Sequence, residues 1–88
     1  MVKIVRFDSW KPFHTEEGNY GVFRLIFDYD TRVIEVVRRT IKTCQVHGQP
    51  QCGGWLPNER AWFIKVHVLP ALKINLCKIA VDLQPKIQ

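Results

Sequence analysis

Two tryptophans set beside cations give this chain its most distinctive chemistry. Trp55 and Trp62 lie in the segment GGWLPNERAWFIK, separated by a proline turn. An indole ring can stack on an unpaired nucleic-acid base, while a neighbouring cation binds a phosphate and releases counterions. Large aromatic rings are also what a small sheet needs for its core. Across a hairpin centred near residues 58 and 59 the rings lie almost opposite each other. Either both are core, or Trp62 is core and Trp55 is accessible.

The candidate phosphate ligands are cations on the predicted helices and hairpin. Arginine and lysine close to the end of a helix also complement its dipole without any ligand, so position alone does not assign them a partner. A net charge of +5 nevertheless favours a polyanionic partner. The predicted nucleic-acid ligands are Arg38, Arg39, Lys42, Trp55, Arg60 and Lys65, and the further cations Lys73 and Lys78 lie on the second helix.

A zinc site is the alternative chemistry for the cysteines. Cys44, His47 and Cys52 have C-x2-H-x4-C spacing, and either His67 or Cys77 would complete a set of four ligands. Paired C-x2-C motifs are absent from the sequence, and Cys44 also fits the apolar stripe of a helix. We therefore expect buried, inert thiols, with no metal and no cofactor.

No combination of residues predicts catalysis. The histidines belong to no motif that joins them to a nucleophile. Asp28 and Asp30 resemble a paired carboxylate, but Asp30 is better explained as the N-cap of the following helix. Gly53 and Gly54 are followed by neither a lysine nor a helix start, so they do not predict a phosphate-cradling loop. We therefore expect that the protein is not an enzyme.

The elements that must position these residues form one small α+β domain spanning residues 1–88. The pattern predicts the order β-β-α-β-β-α, with two helices on a small, mainly antiparallel sheet. Residues 9–20 read as a connection that ends in a turn at Gly18 and Asn19, and the residues from Val81 onward read as a tail. The expected elements are strands at 2–7 and 21–29, a helix at 31–43, a hairpin around 55–66 and a helix at 69–79.

This order resembles the HARP domain, a small module found beside annealing helicases of the SNF2 type and in some phage helicases. The similar segments are FDYDTRVIEVVRRT, GGWLPNERAWFI and LPALKINL, within about residues 21–79. The hairpin signature consists of Trp55, Pro57, Arg60 and Trp62. The resemblance implies recognition of DNA, notably single-strand/duplex junctions, without catalysis by the module. In this chain the loop from Cys44 to Gly54 is longer than the family's usual turn.

The sequence thus predicts a cytoplasmic, non-catalytic nucleic-acid-binding module that prefers DNA to RNA. No leader peptide or long apolar run is apparent, so no membrane contact is expected. The alternative is a protein-interaction module, or a small inhibitor from a phage or mobile element, acting on a helicase, a nuclease or another nucleic-acid-processing protein. Such a module would use an exposed apolar patch, or Glu16, Glu17 and Asp82 as acidic contacts.

Overall fold

The described residues fold into one mixed sheet with two helices, which confirms the expected α+β class. The computed structural model describes residues 3–15, 18–49, 51–58 and 60–86, with the backbone alone at 9–15 and 18–21. The strands are β1 (Lys3–Thr15), β2 (Gly18–Ile26), β3 (Gly53–Leu56), β4 (Ala61–Lys65) and β5 (Val81–Pro85). The helices are α1 (Thr31–Cys44) and α2 (Leu69–Cys77), and a 3-10 turn at Val66–Val68 leads into α2.

The strand order across the sheet is β3-β4-β2-β1-β5. β5 runs parallel to β1, with Val5 opposite Leu83, whereas the other neighbours pair antiparallel. The expected order lacked β5, and the expected mainly antiparallel sheet is mixed for that reason. The presence of Pro85 suggested a tail, but it is the last residue of an edge strand, where proline is tolerated.

The first hairpin is longer than predicted. The expected connection at 9–20 is wrong, because β1 continues to Thr15 and pairs with β2, which already begins at Gly18, where a turn was expected. The register shifts between Ser9 and Lys11, and Pro12 lies opposite Gly21. β5 pairs only with residues 3–7 of β1, so Pro12 lies in a part of β1 that β5 does not reach. At such a position the ring nitrogen of proline can face away from the paired strand, so its lack of an N–H removes no hydrogen bond from the sheet.

Both helices pack on one face of the sheet through the stripes that the sequence predicts. In α1, Val33 and Val37 are fully buried and Ile41 is nearly so. Leu72 and Leu76 of α2 meet them above Ile64 of β4, in one continuous core cluster. None of the described helices has the length and apolar character needed to cross a bilayer.

Two polar contacts fix the position of α1. Asp30 is the N-cap, as predicted: one carboxylate oxygen accepts from the Arg32 and Val33 amides, at 2.9 and 3.4 Å. Its other oxygen accepts from Lys3 Nζ at 2.9 Å, which ties the helix start to β1. Farther along, the buried Thr40 hydroxyl accepts from Asn75 Nδ2 of α2 at 2.9 Å. The exposed face of α1 therefore has a fixed orientation relative to the sheet.

Candidate nucleic-acid interface

Gly53 lets the second half of α1 approach the edge strand β3. A Cβ atom at this position would lie 2.8 Å from Ile41 Cδ1 and 2.8 Å from the Phe63 carbonyl oxygen. Real Cβ atoms essentially never come so close, so only glycine fits without movement. The contact brings the face of α1 that carries Arg38 and Lys42 beside the indole rings of the hairpin.

A groove runs between α1 and the β3 edge, and we call it the helix–hairpin groove. Its volume is about 760 Å³. One wall is helical and cationic, the other is aromatic, and glutamines of the connecting loop close one end. The side chains relevant to its chemistry are Arg38, Lys42, His47, Gln51, Trp55 and Trp62.

The aromatic wall is a cross-strand tryptophan pair. Trp55 and Trp62 lie directly opposite in the β3–β4 register, as predicted. Their ring centroids are 5.7 Å apart and the planes are tilted by 59°. Trp62 is half-buried and packs against the core, whereas Trp55 remains 48% exposed. Of the two sequence-based alternatives, the structure is closer to the second: Trp55 is accessible, but Trp62 is only half-buried against the core and also lines the groove.

The cationic wall divides the predicted helix ligands into two groups. Arg38 and Lys42 are exposed and line the groove. No ion pair involves either of them in the described part of the chain. Arg39 instead forms an ion pair with Glu35, four residues earlier on the exposed face, at 3.1 Å, and does not line the groove.

The connecting loop is organised around one glutamine. The Gln45 side-chain oxygen accepts from the Cys52 amide at 2.9 Å. Its nitrogen donates to the Val46 and Gln49 carbonyls at 3.2 and 3.0 Å. These bonds close the loop and hold Gln51 and His47 at the groove. This role of Gln45 is not predictable from the sequence, because a lone glutamine in a loop carries no recognisable signal.

The hairpin cations lie elsewhere. Lys65 is only 6% exposed, so its ammonium group is not on the surface, where a phosphate would bind. Its backbone N–H donates to the Cys52 carbonyl at 2.9 Å, extending the β3–β4 ladder. Arg60 is exposed in the β3–β4 turn but lines a different cleft. The groove therefore unites Arg38, Lys42 and Trp55, but not Arg39, Arg60 or Lys65.

The three cysteines have different surroundings: Cys52 is buried, Cys44 is half-buried and Cys77 is exposed, so the expectation of buried thiols is wrong for Cys77. Cys52 is buried, and its thiol donates to the Ile41 carbonyl at 3.2 Å. Burial raises the pKa of the Cys52 thiol, which disfavours the thiolate that a metal would require. The described residues contain no group of three or more histidine, cysteine or acidic side chains arranged to hold a metal ion. The absence of a zinc requirement stays a prediction.

Comparison with known proteins gives no relative: no family model, curated protein or solved structure matches this chain. The resemblance to the HARP domain therefore stays a prediction based on the hairpin and helix residues.

Proposed function

We propose that the protein is a non-catalytic nucleic-acid-binding module that holds an unpaired strand in the helix–hairpin groove. DNA is the proposed ligand, in keeping with the HARP-like hairpin. The proposed setting is the cytoplasm, where the module would serve a helicase, a nuclease or another nucleic-acid-processing protein of a phage or mobile element.

One observation carries the proposal: an exposed indole shares a groove with two cations that have no ion-pair partner among the described residues. A cation without an ion-pair partner is well hydrated, and no neighbouring anion reduces its attraction for a phosphate. In the described lining of the groove no side chain is a carboxylate, so nothing there opposes a polyanion. The combination of a base-sized aromatic surface and phosphate ligands is typical of single-strand binding sites.

The tryptophan and the two cations of the groove would contact different parts of a bound strand. Trp55 offers a ring face to a base, which contributes about 1–3 kcal/mol per stacked base. Arg38 lies one helical turn before Lys42, so the two cations can follow consecutive phosphates along the strand. Stacking is tolerant of base identity, because every base has a π-face. The site should therefore prefer unpaired structure over any particular sequence.

The proposal is tested by comparing two charge-matched double variants. Arg38→Gln with Lys42→Gln removes both groove cations, and Lys73→Gln with Lys78→Gln removes two exposed cations, one in the middle of α2 and one just beyond its end. Each pair lowers the net charge from +5 to +3. Fluorescence anisotropy with single-stranded, duplex and forked oligonucleotides gives the affinity and its salt dependence.

The groove variant should weaken single-strand binding and reduce the slope of log K against log salt by up to about 1.4, since each lost contact on a single strand contributes about 0.7. The α2 variant should keep a slope close to that of the wild type. Equal losses in both variants would mean that charge acts without a defined site, and no salt-dependent binding by the wild type would overturn the proposal.

A protein-interaction module, or a small inhibitor, is the alternative function. Its specific support is the exposure of two apolar side chains outside the groove, Ile74 at 60% and Val66 at 51%. Asp82 does not serve as a free acidic contact, because its carboxylate accepts from the Leu83 amide and from Gln84 Nε2. Glu16 and Glu17 lie outside the described residues. This function takes precedence if the wild-type protein binds none of the three oligonucleotides.

A further inference from the structure

A second cationic concavity lies at the end of the sheet where β2 ends and β4 begins. We call it the sheet-end cleft. It has a volume of about 310 Å³ and is lined by Arg24, Phe27, Arg60 and Lys86, among others. The cations come from three distant parts of the chain: β2, the β3–β4 turn and the residue after β5. Neither a helix terminus nor a repeated charge pattern accounts for their meeting here.

Arg24 is held firmly in this cleft. Its guanidinium donates to both carboxylate oxygens of Asp8, through Nη2 at 2.8 Å and Nε at 3.3 Å. Asp8 lies directly opposite on β1, so this is a two-point cross-strand pair of the kind that fixes a guanidinium plane. Arg24 therefore forms an ordered wall, but Asp8 offsets much of its charge.

Arg60 and Lys86 supply the uncompensated charge. Both are exposed, and no ion pair or side-chain hydrogen bond engages either within the described residues. The Lys86 backbone is anchored, because its N–H donates to the Phe7 carbonyl at 2.8 Å. Arg60 has a left-handed backbone, with φ of 50°, a conformation that is uncommon for residues other than glycine. Strained residues of this kind concentrate at binding sites.

We propose that the sheet-end cleft binds a phosphate group through Arg60 and Lys86, with Arg24 as its ordered wall. Phe27, an aromatic residue of the cleft, is half-buried against the core. The cleft thus offers charge without an exposed ring, and suits a phosphate backbone rather than an unpaired base. A phosphodiester of the nucleic acid held in the helix–hairpin groove is one source of this group, in which case the inference rests on the proposed function. A free phosphorylated ligand is the other.

The test separates the two sources. Inorganic phosphate, and separately a duplex oligonucleotide, are titrated into isotope-labelled wild-type protein while the backbone amides of Arg60 and Lys86 and the Arg60 side-chain Nε–H are followed by NMR. Chloride at matched ionic strength is the control. The matched variant is Arg60→Asn with Lys86→Gln, since asparagine tolerates a left-handed backbone and keeps the turn. Lys73→Gln with Lys78→Gln again loses the same charge elsewhere.

We expect phosphate, but not chloride, to shift the cleft resonances of the wild type and of the α2 variant. In the cleft variant, phosphate should leave the remaining cleft resonances unchanged. The cleft variant should also reduce the salt slope for duplex binding by up to about 1.8, at about 0.9 per lost contact. If phosphate shifts the cleft resonances but no oligonucleotide binds, the cleft binds a free phosphorylated ligand. That result would refute the proposed nucleic-acid-binding function and leave the cleft proposal standing. Cleft resonances that respond to neither phosphate nor duplex, while the oligonucleotide still binds, would overturn the cleft and leave the groove intact. Phosphate shifts with equal salt slopes for the cleft and α2 variants would identify a free phosphorylated ligand as the source.

Discussion

Replacing Gly53 by alanine should both destabilise the protein and distort the helix–hairpin groove. The new methyl carbon would meet Ile41 Cγ1 and Cδ1, and the Phe63 carbonyl oxygen, each at 2.8 Å. The end of a side chain can move, but Ile41 is nearly buried and the Phe63 oxygen belongs to the backbone of β4. Either α1 is displaced from the sheet or β3 is displaced from β4.

The expected cost follows from two opposing effects. Overpacking of this kind usually destabilises by about 1–3 kcal/mol. Alanine also restricts the unfolded chain, which stabilises the folded state by about 0.4–1 kcal/mol where the native backbone is compatible with alanine. The free energy of unfolding should therefore fall by about 1–2 kcal/mol. Because Arg38 and Lys42 flank Ile41 on α1, single-strand affinity should fall as well.

Gly54→Ala is the matched control for this prediction. Its Cβ atom would meet Gln51 Nε2 at 2.9 Å, the far end of an exposed side chain, and a carbon of the Phe63 ring at 3.3 Å. Both neighbours can yield slightly, so the stability should stay within about 0.5 kcal/mol of the wild type. Urea unfolding followed by circular dichroism measures both variants. If Gly53→Ala were as stable as Gly54→Ala and bound single strands normally, the close approach of α1 to β3 would be refuted.

Three further predictions concern parts of the chain outside the groove. Ala80 has a left-handed backbone with φ of 58°, so Ala80→Gly should raise the free energy of unfolding by about 0.5–1 kcal/mol in urea titration, and a loss would refute the strain. The hydrogen bond from Lys3 lowers the pKa of Asp30 most, and those from the helix amides lower it further. The Asp30 carboxylate therefore stabilises the fold fully at pH values above the ordinary pKa of an aspartate. This stabilisation is lost as the pH falls through the lowered pKa. Asp30→Asn, which keeps a capping acceptor, should be less stable than the wild type at neutral pH and equally stable in acid, and a difference that did not depend on pH would contradict this account. Thermal melting should not change with a strong chelator, whereas a fall of many degrees together with stoichiometric zinc would show that the cysteines hold a metal.

The features that the sequence predicts correctly arise from local chemistry. The alternation in β2, the stripe of α1, the Asp30 cap and the second helix each depend on residues close together in the chain. The Trp55–Trp62 pairing also follows from the length of one turn. In each case hydrophobic spacing or a capping side chain carries the information, without reference to distant elements.

The features that the sequence does not predict depend on distant partners. β5 forms because β1 offers it a parallel edge, which overrides the breaking tendency of Pro85. Lys65 looks like a surface cation in an alternating strand, but the assembled sheet buries it. The groove depends on the fit of Gly53 against Ile41, twelve residues earlier, and a glycine at the start of a strand usually signals only a turn.

The most direct measurement for the groove is a photochemical cross-link from a single-stranded oligonucleotide that contains 5-bromouracil, with the attached peptides identified by mass spectrometry. We expect a cross-link within β3 at Trp55. Trp55→Ala should abolish it while the variant stays folded, and the double variant at Lys73 and Lys78 should retain it. Cross-links spread over α2 and β5, with none at Trp55, would contradict the placement of an unpaired strand in the helix–hairpin groove.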